Sequence, residues 1–191
     1  ILEINKKNLI HNYKSLAKIA NNSSAGATIK ANAYGLGDLK IFEILYKNGC
    51  RHFFVATFEE AIRLRRKFSK GNIYVLNGVD ESEIKLLKEN NIISIINSIN
   101  DLKIFLKKSN YKIGIQIDTG INRLGIKINE LKNKKFNKMN IVILLSHLAS
   151  SEQKKNKYNN FQNNNFINSF KYFESPKYKS LVNSMGVVLN K

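Results

Sequence analysis

The sequence predicts an α/β protein of the (β/α)8 TIM-type barrel class, in incomplete form, with about seven βα units. Three observations carry this. Short apolar runs alternate with segments of helical periodicity along the chain. The runs are apolar almost throughout, as strands covered on both faces are. No linker interrupts the series: Pro176 is the only proline among 191 residues, and that length fits one domain over residues 1–191. A complete barrel takes about 250 residues, so the series is expected to stop short of an eighth strand.

The elements follow in order. Residues 7–20 place Leu9, Ile10, Tyr13, Leu16, Ile19 and Ala20 at helical spacing. Residues 27–31 read as the first strand. Asp38 can cap a helix running through Ile41, Ile44 and Leu45 to a stop at Gly49. Residues 53–56 form the second strand, and Thr57 with Glu60 makes a capping-box pattern for the helix that follows. Residues 73–76 are the third strand, then a turn at Gly78 and a helix over about 80–90. Residues 92–96 are the fourth strand. Ser98 or Asn100 starts the next helix, through Leu102, Ile104 and Leu106. Residues 112–117 form the fifth strand, with a short helix over 128–134. Residues 141–145 are the sixth and most hydrophobic strand. A polar, Asn-rich stretch over 154–165 leads into a helix ending near Tyr172, and residues 179–183 are the seventh strand.

Composition narrows the function classes. A hydrophobic fraction of 43% supports a real core. No stretch has the length and apolarity of a membrane span, and residues 1–7 lack a signal-peptide plan. Cys50 is the only cysteine, which excludes an intramolecular disulfide framework and a cysteine zinc cluster. These features predict a cytoplasmic protein. His11, His52 and His147 are far apart and carry no metal-ligand spacing, so no metal site is expected. Gly35 and Gly37 match neither a dinucleotide nor a P-loop fingerprint. The net charge of +18 favours anionic ligands, but the lysines are spread over nearly every segment beside abundant Asn and Ile. That is a chain-wide bias rather than a patch, and specific nucleic-acid binding is the weaker reading.

Lys30 stands out. Its stem could lie on the core while its head reaches water. Alternatively, an amine at the C-terminal mouth of a barrel strand sits where barrel enzymes keep their chemistry. Partial desolvation there would make it nucleophilic and suited to an aldehyde cofactor such as pyridoxal phosphate. Residue spacing alone leaves both readings open.

The local motifs add a resemblance. The segment IKANAYGLG around Lys30 closely resembles the cofactor-lysine signature of the alanine racemase family. IDTGINRLG (117–125) is similar to that family's Asp-Thr-Gly and arginine segment, SHLASSE (146–152) to its histidine segment, and SLVNSMG (180–186) to its Asn-Ser segment. The four occur in the family's order across essentially the whole chain. The resemblance implies a pyridoxal 5'-phosphate-binding barrel in an isomerase that interconverts L- and D-alanine, the D-alanine serving peptidoglycan synthesis. It implies that Lys30 carries the Schiff base and is one of two proton-transfer bases, and that Tyr34 hydrogen-bonds to the phosphate. Arg123 would sit near the cofactor's phenolic oxygen and the substrate carboxylate, His147 against the ring, and Asn183 and Ser184 in the phosphate-side loop, with Ser184 a direct ligand. The position of Asn183 and Ser184 after the seventh strand fits the usual phosphate site of a barrel. Taken singly, Arg123 reads as a surface arginine, His147 as a core histidine, Tyr34 as loop packing, and Asn183-Ser184 as turn residues.

Two departures from the family pattern matter. Where family members often carry a lysine two residues before the Asp-Thr-Gly aspartate, this chain has Gln116, which could hydrogen-bond to Arg123 but brings no negative charge. The family's second base is a tyrosine of a C-terminal β domain, delivered across a homodimer interface, and these residues show no such domain. Racemisation needs an acid and a base on opposite faces of a planar carbanion, so Lys30 alone would return a proton to the face it came from. The chain is therefore expected to be an N-terminal part of an alanine racemase, inactive by itself and completed by a partner chain or a further domain. The alternatives are a non-catalytic barrel that holds pyridoxal phosphate, and, less favoured, a basic nucleic-acid binder.

Overall fold

The computed structural model describes residues 3–106, 111–132, 136, 139–174 and 176–189. The chain packs as two compact units, Ile1–Ile92 and Ile93–Lys191.

In the first unit, three strands, β1 (Ala27–Thr28), β2 (His52–Val55) and β3 (Asn72–Val75), pair in parallel and in sequence order. Helix α1 (Lys6–Ile19) opens the chain, with Asn5 as N-cap accepting from the Asn8 N–H at 3.0 Å. Between β1 and β2 come α2 (Lys30–Tyr34) and α3 (Asp38–Lys47), and α4 (Phe58–Lys67) links β2 to β3. The capping box foreseen at Thr57 and Glu60 is present in full at the start of α4. A 3-10 turn (Glu81–Glu83) and α5 (Ile84–Glu89) follow β3. The core between sheet and helices is aromatic: Phe42 of α3 stacks on Phe53 of β2 at 4.0 Å and on Phe68 at 4.4 Å. Leu64 of α4 is fully buried beside this layer of apolar side chains.

In the second unit, β4 (Ile92–Ile96), β5 (Lys112–Asp118), β7 (Asn140–Leu145) and β8 (Tyr178–Ser180) run parallel, with β5 paired to both β4 and β7, and β7 to β8. Ile95, Ile113, Ile115 and Leu144 are buried, as branched residues in short two-sided strands should be. The helices are α6 (Ile99–Leu106), α7 (Ile128–Leu131), α8 (Lys157–Ser169) and α9 (Ser184–Leu189). Of the two starts considered for α6, Ser98 is the cap, its hydroxyl accepting from the Asp101 N–H.

Every expected strand is present, the fourth at its expected bounds and the others with shifted ends. The largest correction is at the first, expected over 27–31: the ladder stops at Thr28 because the backbone turns left-handed from Ala31. The last strand ends at Ser180 rather than Asn183, since Asn183 caps α9, an element the sequence reading lacked. A short strand β6 (Ile126–Lys127) beside β5 was also not foreseen. Helix α8 begins inside the Asn-rich stretch. Its polar face conceals buried Asn159 and Gln162, which hydrophobic periodicity does not detect. Of the short helix expected over 128–134, residues 128–131 are helical and residues 133 and 134 lie outside the described residues.

Candidate active site

Parallel strands put their C-terminal ends on one edge, and each unit gathers its predicted residues there. In the first unit, Lys30 and Tyr34 lie on α2, directly after β1. This single turn is wound left-handed: Ala31, Asn32 and Ala33 have φ/ψ of 50/50, 54/45 and 53/47, and Tyr34 has φ 55. Such a turn costs L-residues about 1–2 kcal/mol each, because Cβ crowds the following carbonyl. The sequence limits the crowding with two alanines and follows with Gly35, at φ 90, as the exit.

Hydrogen bonds hold the turn. Within it, the Ala33 N–H donates to the Ile29 carbonyl at 2.9 Å and the Gly35 N–H to Ala31 at 3.0 Å. From outside, Glu60 of α4 accepts from the Ala31 N–H at 2.6 Å through Oε1, and from the Ala56 N–H at 2.7 Å through Oε2. At the far end, the Asn32 side-chain oxygen accepts from the Asp38 N–H at 3.0 Å, and buried Asp38 accepts from Nε and Nη2 of Arg63. Lys30 is half-buried, whereas Tyr34 is 65% exposed. The ion pairs among the described residues use Lys40, Lys47, Arg63 and Lys85, and leave the Lys30 ammonium outside them.

In the second unit, Arg123 lies on the loop between β5 and β6, with its side chain exposed. Asp118 organises that loop by accepting from the Gly120 and Asn122 N–H groups at 3.0 and 3.1 Å. Gly125 closes it. A Cβ there would meet the Asp118 nitrogen at 2.7 Å, and its φ of +117 suits glycine alone. Gln116, which by its chemistry could bond to Arg123, donates to the Leu124 carbonyl at 3.0 Å. It is buried, and its amide steadies the backbone beside Arg123 rather than the guanidinium.

His147 follows β7 and is half-buried. Its carbonyl accepts from Nε2 of Gln162 at 3.0 Å, while Gln162 Oε1 accepts from the Ala149 N–H at 2.8 Å. The same Nε2 approaches Thr119 Oγ1 at 3.2 Å, and Thr119 and Ser146 share a 2.8 Å hydroxyl contact. Fully buried Gln162 thus ties the segment after β7 to the segment after β5. Asn183 and Ser184 are exposed after β8. The Asn183 side-chain oxygen accepts from Ser151 Oγ at 2.8 Å and from the Gly186 N–H at 3.0 Å, which fixes the turn that presents the Ser184 hydroxyl.

The structure therefore joins Lys30 with Tyr34 in one turn, and links the loops bearing Arg123, His147 and Asn183-Ser184 through neutral side chains. Among the described residues no group of three or more His, Cys, Asp and Glu is placed to hold a metal, and no helix is long and apolar enough to cross a membrane. The sequence reading missed Gln162, Thr119, Ser146 and Ser151. It noted Glu60 as a helix cap, but nothing local shows that its other oxygen reaches a residue 29 positions away.

The family model for the alanine racemase N-terminal domain matches residues 4–191. The chain belongs to that family. It is 40% identical over 186 residues to an alanine racemase of Rickettsia bellii (strain RML369-C), covering 92% of this chain and 45% of the relative. It is 39% identical over 199 residues to that of Rickettsia canadensis (strain McKiel), covering 98% and 56%. The chain thus spans about half the length of these curated relatives. Among solved structures, the alanine racemase from Bartonella henselae, which carries covalently bound pyridoxal phosphate, matches with a TM-score of 0.90 and 34% identity, over 97% of this chain and 57% of that one. The fold class is the incomplete (β/α) barrel expected. A histidine racemase from Leuconostoc mesenteroides subsp. sake matches with a TM-score of 0.77, 22% identity and coverage of 95% and 52%, a likeness of fold alone.

Proposed function

We propose that this chain is the pyridoxal-phosphate-binding part of an alanine racemase, with Lys30 as the amine that carries the cofactor and moves the substrate Cα proton on one face. The observation that carries the reading is half-buried Lys30 at the start of a left-handed turn at a strand end, in a chain of the alanine racemase family. The donor set fits the cofactor. A primary amine suits its aldehyde, the Tyr34 phenol and Ser184 hydroxyl suit its phosphate, and the Arg123 guanidinium suits its phenolic oxygen and a substrate carboxylate. The cofactor would supply an electron sink for the carbanion left when Cα loses its proton.

Each residue then has a task of its own. Lys30 takes the Cα proton and returns it from the same side. Tyr34 and Ser184 donate hydrogen bonds to phosphate oxygens. Asn183 holds the turn that presents Ser184, through its bonds to Ser151 and Gly186. Arg123 orients the carboxylate, and His147 packs against the ring. Inversion needs a second acid–base group on the opposite face. These residues offer none in the role, so racemisation calls for a group from outside them, on a partner chain as the family pattern implies. Alanine is the substrate of this proposal, drawn from the relatives' names. The fold alone does not select it, because a histidine racemase shares the fold.

The test is proton exchange in D2O. With pyridoxal phosphate, the 191 residues should place deuterium at Cα of one alanine enantiomer while its configuration is retained, and Lys30→Ala should abolish the exchange. Rapid racemisation by this chain alone would overturn the one-base reading. Cofactor binding without exchange at either enantiomer would favour a cofactor-holding barrel.

A further inference from the structure

We infer that helix α4 is the positioning device for the Lys30 amine, with Glu60 acting on the front of the turn and Arg63 on its back. This rests on the cofactor role proposed for Lys30, and the geometry supplies the rest. Glu60 is a capping-box residue, and a capping box asks only that its carboxylate reach the N-cap amide. Here the carboxylate does more. One oxygen accepts from the Ala56 N–H at 2.7 Å and, more distantly, from the Thr57 N–H at 3.4 Å, while the other accepts from the Ala31 N–H at 2.6 Å. Ala31 is the residue next to Lys30 and the first with left-handed φ. A carboxylate shared between the end of β2 and the residue after Lys30 fixes where β1 ends and which way the chain leaves it.

Arg63, one turn further along α4, grips the other end. It donates twice to Asp38, the first residue of α3, whose backbone N–H is capped by the Asn32 side chain from inside the left-handed turn. Glu60 and Arg63 are three apart and so share a helix face. The left-handed turn lies between these two contacts. Its conformation is costly for L-residues, and a costly backbone persists where its surroundings over-determine it. Charge-assisted bonds to backbone N–H groups are the strong kind needed. Both residues act through others, Glu60 through the Ala31 backbone and Arg63 through Asp38, so they are positioning residues for Lys30.

The experiment compares the unsubstituted chain with Glu60→Gln, Arg63→Met and Thr57→Ala. The last removes the other half of the capping box and leaves the bond to Ala31 in place. Hydrogen exchange is read without cofactor on peptides covering residues 30–37, with β3 and α5 peptides as the check that the fold is intact. The rate of borohydride-trapped pyridoxal phosphate attachment at Lys30 is read in parallel. Glu60→Gln and Arg63→Met should speed exchange over 30–37 and slow attachment at Lys30, each by about tenfold, the effect of losing a charge-assisted hydrogen bond. Thr57→Ala should change neither. If Glu60→Gln attaches cofactor to Lys30 at the unsubstituted rate with the 30–37 amides still protected, the positioning role is wrong and the cofactor role stands. Loss of protection with attachment unchanged would also overturn it. Failure of the unsubstituted chain to attach cofactor at Lys30 would instead overturn the cofactor reading, and this inference with it.

Discussion

The two units hold their candidate residues by different chemistry. In the first, a carboxylate and a guanidinium on one helix clamp a strained turn that carries Lys30 and Tyr34. In the second, amides and hydroxyls join the loops to one another: Gln162, Thr119, Ser146, Ser151 and Asn183 link three loops, while the Asp118 carboxylate acts only within its own loop. The difference follows from backbone cost and burial. A left-handed turn of non-glycine residues needs strong bonds to persist; Glu60 and Arg63 are partly open to solvent, where charges are cheap to keep, and buried Asp38 keeps its charge by pairing with Arg63. Gln162 and Thr119 are buried, where an unpaired charge costs far more than a satisfied amide.

That contrast can be broken in steps. Leu64→Ala should have the largest effect, about 2–5 kcal/mol by urea denaturation, because a fully buried side chain is removed from the inner face of the helix that carries the clamp. Gln162→Leu should cost about 1–3 kcal/mol, since it removes a fully buried amide that bonds the Ala149 N–H, the His147 carbonyl and Thr119. Arg63→Met should cost less, about 1 kcal/mol, as half of the Arg63 side chain is exposed and the buried Asp38 carboxylate still accepts from the Leu39 N–H at 2.8 Å. The smallest effect belongs to Tyr13→Phe, which loses one long hydrogen bond to the Ala25 carbonyl and whose pH-dependent part shows in alkali. Burial pushes the Tyr13 hydroxyl up to about 12 from 10.0, with nearby Cys50 adding to the shift. A group whose folded value is raised stabilises below its unfolded value and loses that contribution as pH rises. Stability of the unsubstituted chain should therefore decline between about pH 10 and pH 12, and Tyr13→Phe should flatten that decline in a melting-temperature series.

Much of the fold was legible because its signals are local. The capping box at Thr57 and Glu60, the isoleucine-rich strand over 92–96 and the stop at Gly49 each follow from a few neighbouring residues. The site was legible only as a set of motifs. Nothing in KANAYG announces a left-handed turn, since Ala and Asn otherwise favour ordinary helix and turn geometry. The turn forms because the Glu60 carboxylate accepts from the Ala31 N–H and the Asp38 N–H donates to the Asn32 side chain, and partners outside the turn leave no trace in periodicity. Gln162 was hidden for a related reason. A glutamine on an Asn-rich helix reads as solvated surface, and its burial depends on loops from β5 and β7 meeting over it. Gln116 shows the limit of analogy by position: its amide holds the Leu124 backbone, although it has the chemistry to bond to the arginine.

The measurement that tests the account most directly is covalent trapping. The chain is mixed with pyridoxal phosphate, reduced with borohydride and mapped by peptide mass spectrometry, beside Lys30→Ala. One dominant label is expected, on Lys30, at less than full saturation of the many other lysines, and it should be lost in the variant. Label spread evenly over surface lysines, unchanged by Lys30→Ala, would contradict it.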